Sequence, residues 1–199
     1  MISLIRPECP NPVALVEEIY NDPVNKDALR KSTSGKCMYC EGKMEPYSYA
    51  HVEHIKPKAK FPELKFTWSN LGFSCQVCNT KKGEKYDKST PFINPYNEDP
   101  EDHLEFIDFY VLPKHGSKRG VYTIKEIDLN RANLVDIRKE RYEKLKMMVN
   151  ATFRTSKKSL RNQSIEELKK EAENDKEYSA MVKSLLVTEK ILETKLEPN

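Results

Sequence analysis

The spacing of apolar residues predicts short strands and helices in the first half of the chain. Residues 13–20 have the apolar spacing of a short helix. Residues 47–55 are partly β-branched and aromatic, which predicts a strand. Residues 67–73 predict a second strand or a loop, and residues 75–85 predict the start of a helix. The platform formed by this strand, loop and helix over residues 47–85 is too small to be stabilised by apolar burial alone.

Beyond a proline-rich connector, the second half of the chain predicts a hairpin followed by helices. Residues 104–112 and 120–125 predict two strands joined by a turn at Gly116. From Leu129 onward the period is helical. The positions that carry this period are Leu134, Ile137, Leu145, Met148 and Thr152. Ser164-Ile-Glu-Glu167 has the form of a capping box and predicts the start of a last helix. The apolar positions of that helix are Leu168, Ala172, Met181, Leu185 and Leu192.

These elements predict an α+β protein whose 199 residues can bury a real core. The predicted parts are an N-terminal helical or partner-binding segment, a small metal-held core, a connector with a short hairpin, and a helix-rich C-terminal extension. Their expected ranges are 1–30, 31–90, 91–125 and 126–199. The C-terminal helices are expected to pack on the core or on a partner protein.

Composition and hydropathy exclude several classes of protein. Charged residues make up 33% of the chain and the mean hydropathy is −0.75, which indicates a strongly solvated surface. The sequence contains no apolar run long enough for a membrane span, and its N-terminus lacks the features of a signal peptide. We therefore expect a cytoplasmic protein that does not contact a membrane.

The net charge of +3 is unevenly distributed, and the region of the central motifs is basic. Residues 31–90 contain 11 Lys and no Arg against 6 acidic residues. Such a basic region suits a polyanionic partner, because lysine contacts release counterions from nucleic-acid phosphates. An ordinary lysine-rich solvated surface explains the same charge equally well.

Four of the five cysteines form two CxxC pairs, which are Cys37-Met-Tyr-Cys40 and Cys75-Gln-Val-Cys78. Zn²⁺ favours four thiolates in a tetrahedron, so the two pairs predict a closed, structural zinc site. The 34 intervening residues exceed the usual zinc-ribbon gap, and a histidine and asparagine motif occupies this loop. The alternative is a redox pair or unrelated free thiols. Cys9 is left over.

Between and after the cysteines stand Glu53-His54-Ile55-Lys56-Pro57, Asn70-Leu71 and Asn79, the last directly after Cys78. This order resembles the HNH (ββα-metal) endonucleases, over about residues 35–85. The resemblance implies a ββα-metal core that hydrolyses phosphodiester bonds of nucleic acid, with DNA as the expected substrate.

The residue types suit that chemistry. The oxygens of Glu53 and Asn79 suit a catalytic Mg²⁺ or Mn²⁺, and an unprotonated His54 can take a proton from water. Because neighbouring strand residues point to opposite faces, Glu53 and His54 can divide the two roles. By resemblance, Asn70 bonds to backbone groups and fixes the loop that follows His54. Glu53 stands where the family more often has Asp or His, which leaves the preferred ion open.

Other residues near the motif have two interpretations. A rim of lysines could hold phosphates, although each one alone is more often simply solvated; these are Lys56, Lys58, Lys81 and Lys82. His51 is either an auxiliary ligand or, as we favour, an ordinary half-buried histidine. For Trp68 we expect packing beside the zinc rather than base stacking. Tyr39, Tyr47 and Tyr49 are likewise expected to pack.

Weaker strings outside the core resemble one branch of the family. They are Arg6-x₃-Pro10, Pro91-Phe-Ile-Asn-Pro95 and Leu129-Asn-Arg with Arg138. They are similar to the HNH subunit of bacterial Septu-type and retron-associated anti-phage systems. That resemblance implies a nuclease effector working with an ABC/SMC-like ATPase. The alternatives are a zinc-stabilised nucleic-acid-binding module without catalysis, and a protein-interaction scaffold built on the C-terminal helices.

Overall fold

The computed structural model describes residues 1–44 and 50–193. Its helices and strands, in chain order, are α1 (Pro12–Val16), α2 (Pro23–Ser32), β1 (Ala50–His54), β2 (Leu71–Cys75), α3 (Gln76–Lys82), β3 (Leu104–Ile107), β4 (Tyr110–Pro113), α4 (Lys118–Ile127), α5 (Ala132–Arg154), α6 (Lys158–Glu171) and α7 (Ser179–Thr188). Short 3₁₀ turns lie at Pro62–Leu64, Trp68–Asn70 and Pro100–Asp102. The mixture of helices with small sheets, and the helical C-terminal region, confirms the predicted fold class.

The N-terminal segment forms two helices where the pattern predicted one. α1 ends at Val16, earlier than predicted, so Tyr20 lies in the following turn. α2 begins after Asp22, whose side chain accepts hydrogen bonds from the backbone N–H groups of Val24 and Asn25. This cap and the proline at the first helical position explain where α2 starts.

β1 and β2 form an antiparallel pair, and α3 packs against both. The described part of the predicted strand is β1, whereas residues 47–49 lie outside the described residues. The helix predicted from residue 75 is α3, and the ambiguous stretch before it is a 3₁₀ turn followed by β2. One side of this platform packs on a small apolar cluster, here called the strand-side core, formed by Leu29, Val52, Leu71 and Phe73.

The prediction for the second hairpin is wrong in one strand. The segment predicted as its first strand forms both strands of the hairpin, β3 and β4. Asp108 adopts a left-handed conformation (φ 52°) in the turn between them. Residues 120–125 belong to helix α4. Its first turn is capped by Ser117, whose hydroxyl accepts a hydrogen bond from the N–H of Gly120.

The last helix does not begin at Ser164. That residue lies inside α6. Of the apolar positions predicted for one helix, Leu168 lies in α6, Met181 and Leu185 lie in α7, and Ala172 and Leu192 follow the ends of α6 and α7. In α5, Ile137 and Met148, two of the positions that carry the helical period, are 50% and 39% exposed.

The C-terminal helices enclose the larger apolar cluster, here called the metal-side core. Its buried members include Cys37, Cys40, Cys78, Leu104, Val111, Ile127, Leu134, Leu145, Leu168, Met181 and Leu185. The cysteine pairs and the C-terminal helices therefore share one core. Within residues 1–44 and 50–193, no helix combines the length and hydropathy that crossing a bilayer requires.

Candidate active site

The four paired cysteines meet at one buried point. Their sulfur atoms all lie within 4.8 Å of one another, and the Sγ atoms of Cys40 and Cys75 are 3.9 Å apart. All four are free thiols. Four thiolates around one Zn²⁺ at about 2.3 Å place neighbouring sulfurs about 3.8 Å apart. The cluster therefore has the geometry of a tetrahedral, fully protein-ligated metal site.

Local structure brings each cysteine pair to this point. In the first pair, the N–H of Cys37 donates to the carbonyl oxygen of Gly42, and Glu41 takes a left-handed conformation (φ 61°) that turns the chain. In the second pair, Cys75 ends β2 and its sulfur accepts a hydrogen bond from the N–H of Cys78 at 3.4 Å. The start of α3 is thus fixed by the cluster itself.

Arg131 balances the negative charge of the thiolates. Its Nη1 lies 3.6 Å from the Sγ of Cys78. Burial disfavours the charged guanidinium, but the neighbouring Cys78 and Cys40 outweigh this and the pKa of Arg131 is raised. Four thiolates around a divalent ion carry a net charge of about −2, so an adjacent arginine stabilises the filled site.

His54 ends β1, and the residue is only 8% exposed. Its Nε2 lies 2.9 Å from the carbonyl oxygen of Lys65. Because a carbonyl can only accept a hydrogen bond, Nε2 carries the proton and Nδ1 of the neutral ring is unprotonated. Burial lowers the pKa of His54, and the positive charges of Lys58 and Lys82 lower it further. The imidazole is therefore held neutral and ready to accept a proton.

Asn70 fixes the loop that follows His54. Its side-chain oxygen accepts from the N–H of Lys56 at 2.8 Å, and its amide donates to the carbonyl oxygens of Lys56 and Leu64 at 3.0 and 3.1 Å. The backbone carbonyl of Asn70 also accepts from the N–H of Ile55. The buried side chain of Asn70 thus bonds to both ends of segment 56–64, which precedes the carbonyl group of Lys65 that contacts His54.

Glu53 points away from His54 and into the protein. Its Oε1 lies 2.6 Å from the Nζ of Lys82 and 3.5 Å from the hydroxyl of Tyr39. Burial raises the pKa of Glu53, and the ammonium of Lys82 opposes that shift. Lys82 also donates to the backbone carbonyl oxygen of His54 at 2.7 Å. The pair therefore ties α3 to the end of the strand that carries the histidine.

The position of Lys82 corrects one sequence-based assignment. Lys82 is 1% exposed, so its ammonium is not part of a solvent-facing rim for phosphates. It lies three residues beyond Asn79 on α3, so the two share the helix face that is turned towards β1. Asn79 is half-buried there.

The four cysteines are the single cluster of three or more His, Cys, Asp or Glu ligands found in the described ranges 1–44 and 50–193. No carboxylate cage for a second ion is present among those residues. Mg²⁺ commonly needs only one or two protein oxygens, with water and substrate phosphate completing its coordination. The carboxylate of Glu53 and the amide oxygen of Asn79 are donors of that kind.

Comparison with known proteins gives the same assignment as the geometry. The family model for HNH endonuclease matches residues 37–85, which include both cysteine pairs and His54. The chain is 30% identical to Septu protein PtuB of Bacillus thuringiensis over 214 aligned residues, covering 94% of this chain and 82% of that protein. It is 33% identical to Septu protein PtuB of Bacillus mycoides (strain KBAB4) over 190 residues, covering 78% and 64% respectively.

The chain belongs to the PtuB family of HNH endonucleases. It is therefore a nuclease, and the cysteine cluster and His54 lie in its HNH domain. The weaker Leu129-Asn-Arg string has a structural role. The side chain of Asn130 bonds to both the N–H and the carbonyl oxygen of Val111, and Arg138 donates to the carbonyl oxygen of Leu129.

The other lysines predicted as a rim lie at the surface of this PtuB-family enzyme. Lys56 and Lys58 are exposed in the loop after His54. Lys81 is exposed but forms an ion pair with Asp128 at 2.9 Å. Lys65, which the sequence analysis did not select, lies over the ring of Phe66 in the same loop.

His51, Trp68 and Tyr39 lie in three different environments. His51 is exposed on β1 opposite Ser74, and is not the half-buried residue that we favoured. Trp68 packs against the strand-side core rather than beside the cysteine cluster, and its indole N–H donates to the carbonyl oxygen of Pro7. Tyr39 is buried in the metal-side core, as expected, whereas Tyr47 and Tyr49 lie outside the described residues.

Tyr20 and Arg131 contact residues of the site, although the sequence pattern indicated neither of them as a site residue. Tyr20 contacts His54 from a turn 34 positions earlier in the chain, and Arg131 contacts Cys78 from 53 positions later. Neither position has a signal within a local motif, because both contacts depend on how distant segments pack. A search of the sequence for aromatic and basic residues just outside helix ends would find both, but it would also find many residues that have no such contact.

Proposed function

We propose that this PtuB-family nuclease cuts DNA as the effector of a bacterial anti-phage complex. The feature that best supports a hydrolytic role is the hydrogen bond from His54 to the backbone of Lys65, which leaves Nδ1 free to accept a proton. The similarity to Septu proteins supports the defence role, and an ABC/SMC-like ATPase is the proposed partner. The cysteines of the two CxxC pairs form no disulfide bonds, which suits the reducing cytoplasm, the proposed location.

In the proposed reaction, His54 acts as the general base. A water molecule attacks the phosphorus and transfers a proton to Nδ1, while the bond between phosphorus and the leaving oxygen breaks. The leaving oxygen takes a proton from solvent. Lys56 and Lys58 hold neighbouring phosphates, and Asn70 keeps the loop that carries both lysines in place.

Two metals complete the proposal. Zinc at the four cysteines has a structural role, because no ligand position remains open for substrate. A Mg²⁺ or Mn²⁺ ion held by Glu53 and Asn79 would relieve negative charge on the scissile phosphate and the leaving oxygen. Binding of that ion would require the Glu53 carboxylate to exchange its contact with Lys82.

The decisive experiment is plasmid cleavage by purified protein with Mg²⁺, Mn²⁺ or EDTA. We expect metal-dependent cleavage that His54→Ala reduces by at least about 100-fold, as removal of a general base does. The matched control is His115→Ala, because His115 is an exposed histidine outside the HNH domain. Wild-type cleavage by the His54 variant would exclude the assigned base.

The same assay tests a binding module without catalysis. The burial of Glu53 against Lys82 is the observation that favours this alternative. That module would bind DNA with a steep salt dependence and would show no cleavage with either metal. If the isolated chain does not cleave, adding the proposed ATPase partner separates an activity gated by that partner from an inactive site.

A further inference from the structure

Tyr20 lies against the proposed general base, although it comes from outside the residues that match the HNH model. The ring centroids of Tyr20 and His54 are 4.7 Å apart and their planes meet at 67°, which is an edge-to-face contact. The turn that carries Tyr20 is held by a hydrogen bond from the N–H of Ile19 to the carbonyl oxygen of Ala14. The Tyr20 ring also packs on the strand-side core. This support gives Tyr20 a fixed position.

The same side chain holds an exposed lysine beside the imidazole. The Nζ of Lys58 lies 3.2 Å from the Tyr20 hydroxyl and 4.9 Å from the centre of its ring. A lysine in this geometry is restrained by a hydrogen bond and a cation–π contact. Lys58 is four residues beyond His54, so Tyr20 contacts the proposed base and a proposed phosphate-binding residue together.

The hydrogen bond to Lys65 fixes only one atom of the imidazole. Rotation about that bond would move Nδ1 while Nε2 stayed in place. The edge contact with Tyr20 blocks this rotation from one side. Small displacements of a reacting group cost large factors in rate, so such a block matters for catalysis.

We propose that Tyr20 is a positioning residue of this nuclease, whose ring orients the His54 imidazole and whose hydroxyl holds the Lys58 ammonium beside it. This inference rests on the proposed function of His54. The N-terminal segment is then a functional part of the active site and not only a docking element.

Tyr20→Leu and Tyr20→Phe separate the two roles. With labelled duplex DNA and Mn²⁺, Tyr20→Leu should lower kcat by about 10-fold or more and change KM by less than about 3-fold. Tyr20→Phe should keep kcat and raise KM by less than Lys58→Gln does, because phenylalanine keeps the cation–π contact and Lys58 keeps its charge. The KM of the double variant Tyr20→Phe/Lys58→Gln should not exceed that of Lys58→Gln alone, because both changes remove the same hydrogen bond between the Tyr20 hydroxyl and Lys58. Tyr110→Leu, which removes an exposed tyrosine of β4, is the control.

A second measurement does not require activity. The chain has four histidines, so ¹⁵N-histidine labelling gives few ring signals, and His54→Gln assigns the one of interest. Wild-type protein and Tyr20→Phe should show His54 as a single tautomer protonated at Nε2. Tyr20→Leu should show a mixture of tautomers or a broadened signal.

Each result decides a stated point. Wild-type kcat together with a single tautomer in Tyr20→Leu would overturn the role of the ring. Additive effects of Tyr20→Phe and Lys58→Gln on KM would overturn the role of the hydroxyl. Full cleavage by His54→Ala would refute the proposed function itself. An inactive His54→Ala beside an unaffected Tyr20→Leu would refute only the inference about Tyr20.

Discussion

Glu53 and Lys82 show how a single buried ion pair connects the motif to the fold. Both side chains are almost fully buried and their charged atoms are 2.6 Å apart. Such a pair gives little net stability over apolar residues, but removing one partner leaves an unpaired charge in the interior. The acid of the HNH motif therefore has a structural contact in addition to its proposed role with an ion.

Adjacent lysines allow a direct test of this view. Lys82→Met should lower the free energy of unfolding by about 3–5 kcal/mol, because it strands the Glu53 carboxylate. Lys81→Met, which removes an exposed ion pair with Asp128, should cost less than about 1 kcal/mol. Urea unfolding of the zinc-loaded proteins at neutral pH measures both. Equal losses in the two variants would contradict a stabilising Glu53–Lys82 pair.

At the residue scale, the family resemblance identified residues that lie within one short motif. It implied that Asn70 fixes the loop after His54, and the Asn70 side chain bonds to the backbone of Lys56 and Leu64 in that loop. Lys82 was assigned to the surface because lysines usually are exposed. Its burial depends on Glu53 and on a carbonyl of β1, which no pattern around Lys82 indicates.

At the element scale, tertiary context decided the structure of residues 120–125. Valine, tyrosine, threonine and isoleucine predicted a strand there, but the buried positions of α4 are Gly120, Thr123 and Ile127, which recur at helical spacing. Gly120 is needed because a Cβ atom at that position would lie 2.4 Å from the carbonyl oxygen of His103. The hydroxyl of Thr123 accepts a bond from the N–H of Ile93.

Helix starts can be checked by substitution. Asp22→Ala should lower the free energy of unfolding by about 1 kcal/mol, because it removes the N-cap of α2. Ser164→Ala should be neutral or slightly stabilising, because Ser164 lies inside α6 and alanine is the better helix former. Thermal or urea unfolding measures both changes. A loss for Ser164→Ala as large as that for Asp22→Ala would restore the predicted capping box.

At the scale of the whole molecule, the four-cysteine cluster brings together segments that are far apart in sequence. Binding of zinc to four cysteines is worth about 10–16 kcal/mol, which equals or exceeds the usual stability of a domain. Cys75→Ser, or removal of zinc by a chelator, should therefore unfold both the HNH domain and the C-terminal helices. Cys9→Ser is the matched control, because Cys9 lies outside the cluster. Circular dichroism with zinc analysis is the measurement, and a folded, zinc-free Cys75→Ser would contradict the structural role.

Glu41 links the first cysteine pair to α7. Its carboxylate contacts the amine of Met1 at 2.5 Å, the Nζ of Lys36 at 3.6 Å and the hydroxyl of Ser179 at 2.9 Å. Burial opposes its charge, but the Met1 amine and Lys36 outweigh this and lower the pKa of Glu41 from 4.5 to about 2. A carboxyl group with a lowered pKa stabilises the fold above its ordinary pKa.

The sign of this shift gives a pH-dependent prediction. Glu41→Gln should lose about 3 kcal/mol of unfolding free energy at pH 7, since each pKa unit corresponds to about 1.4 kcal/mol. The difference from wild type should shrink as the pH falls from about 4.5 towards 2, where Glu41 itself becomes protonated. Zinc loss at acidic pH affects both proteins, so the difference is the quantity to follow. A constant difference across that range would contradict the assignment.

The shared core has a consequence for folding during synthesis. Cys37, Cys40 and Cys78 belong to the same buried cluster as Met181 and Leu185 of α7, which are made about 100 residues after Cys78. A nascent chain that has exposed only the HNH segment lacks the partners that bury Cys37 and Cys78. We therefore expect the complete fold to form only after α7 has been synthesised, and we expect translation products that lack α7 to cut poorly.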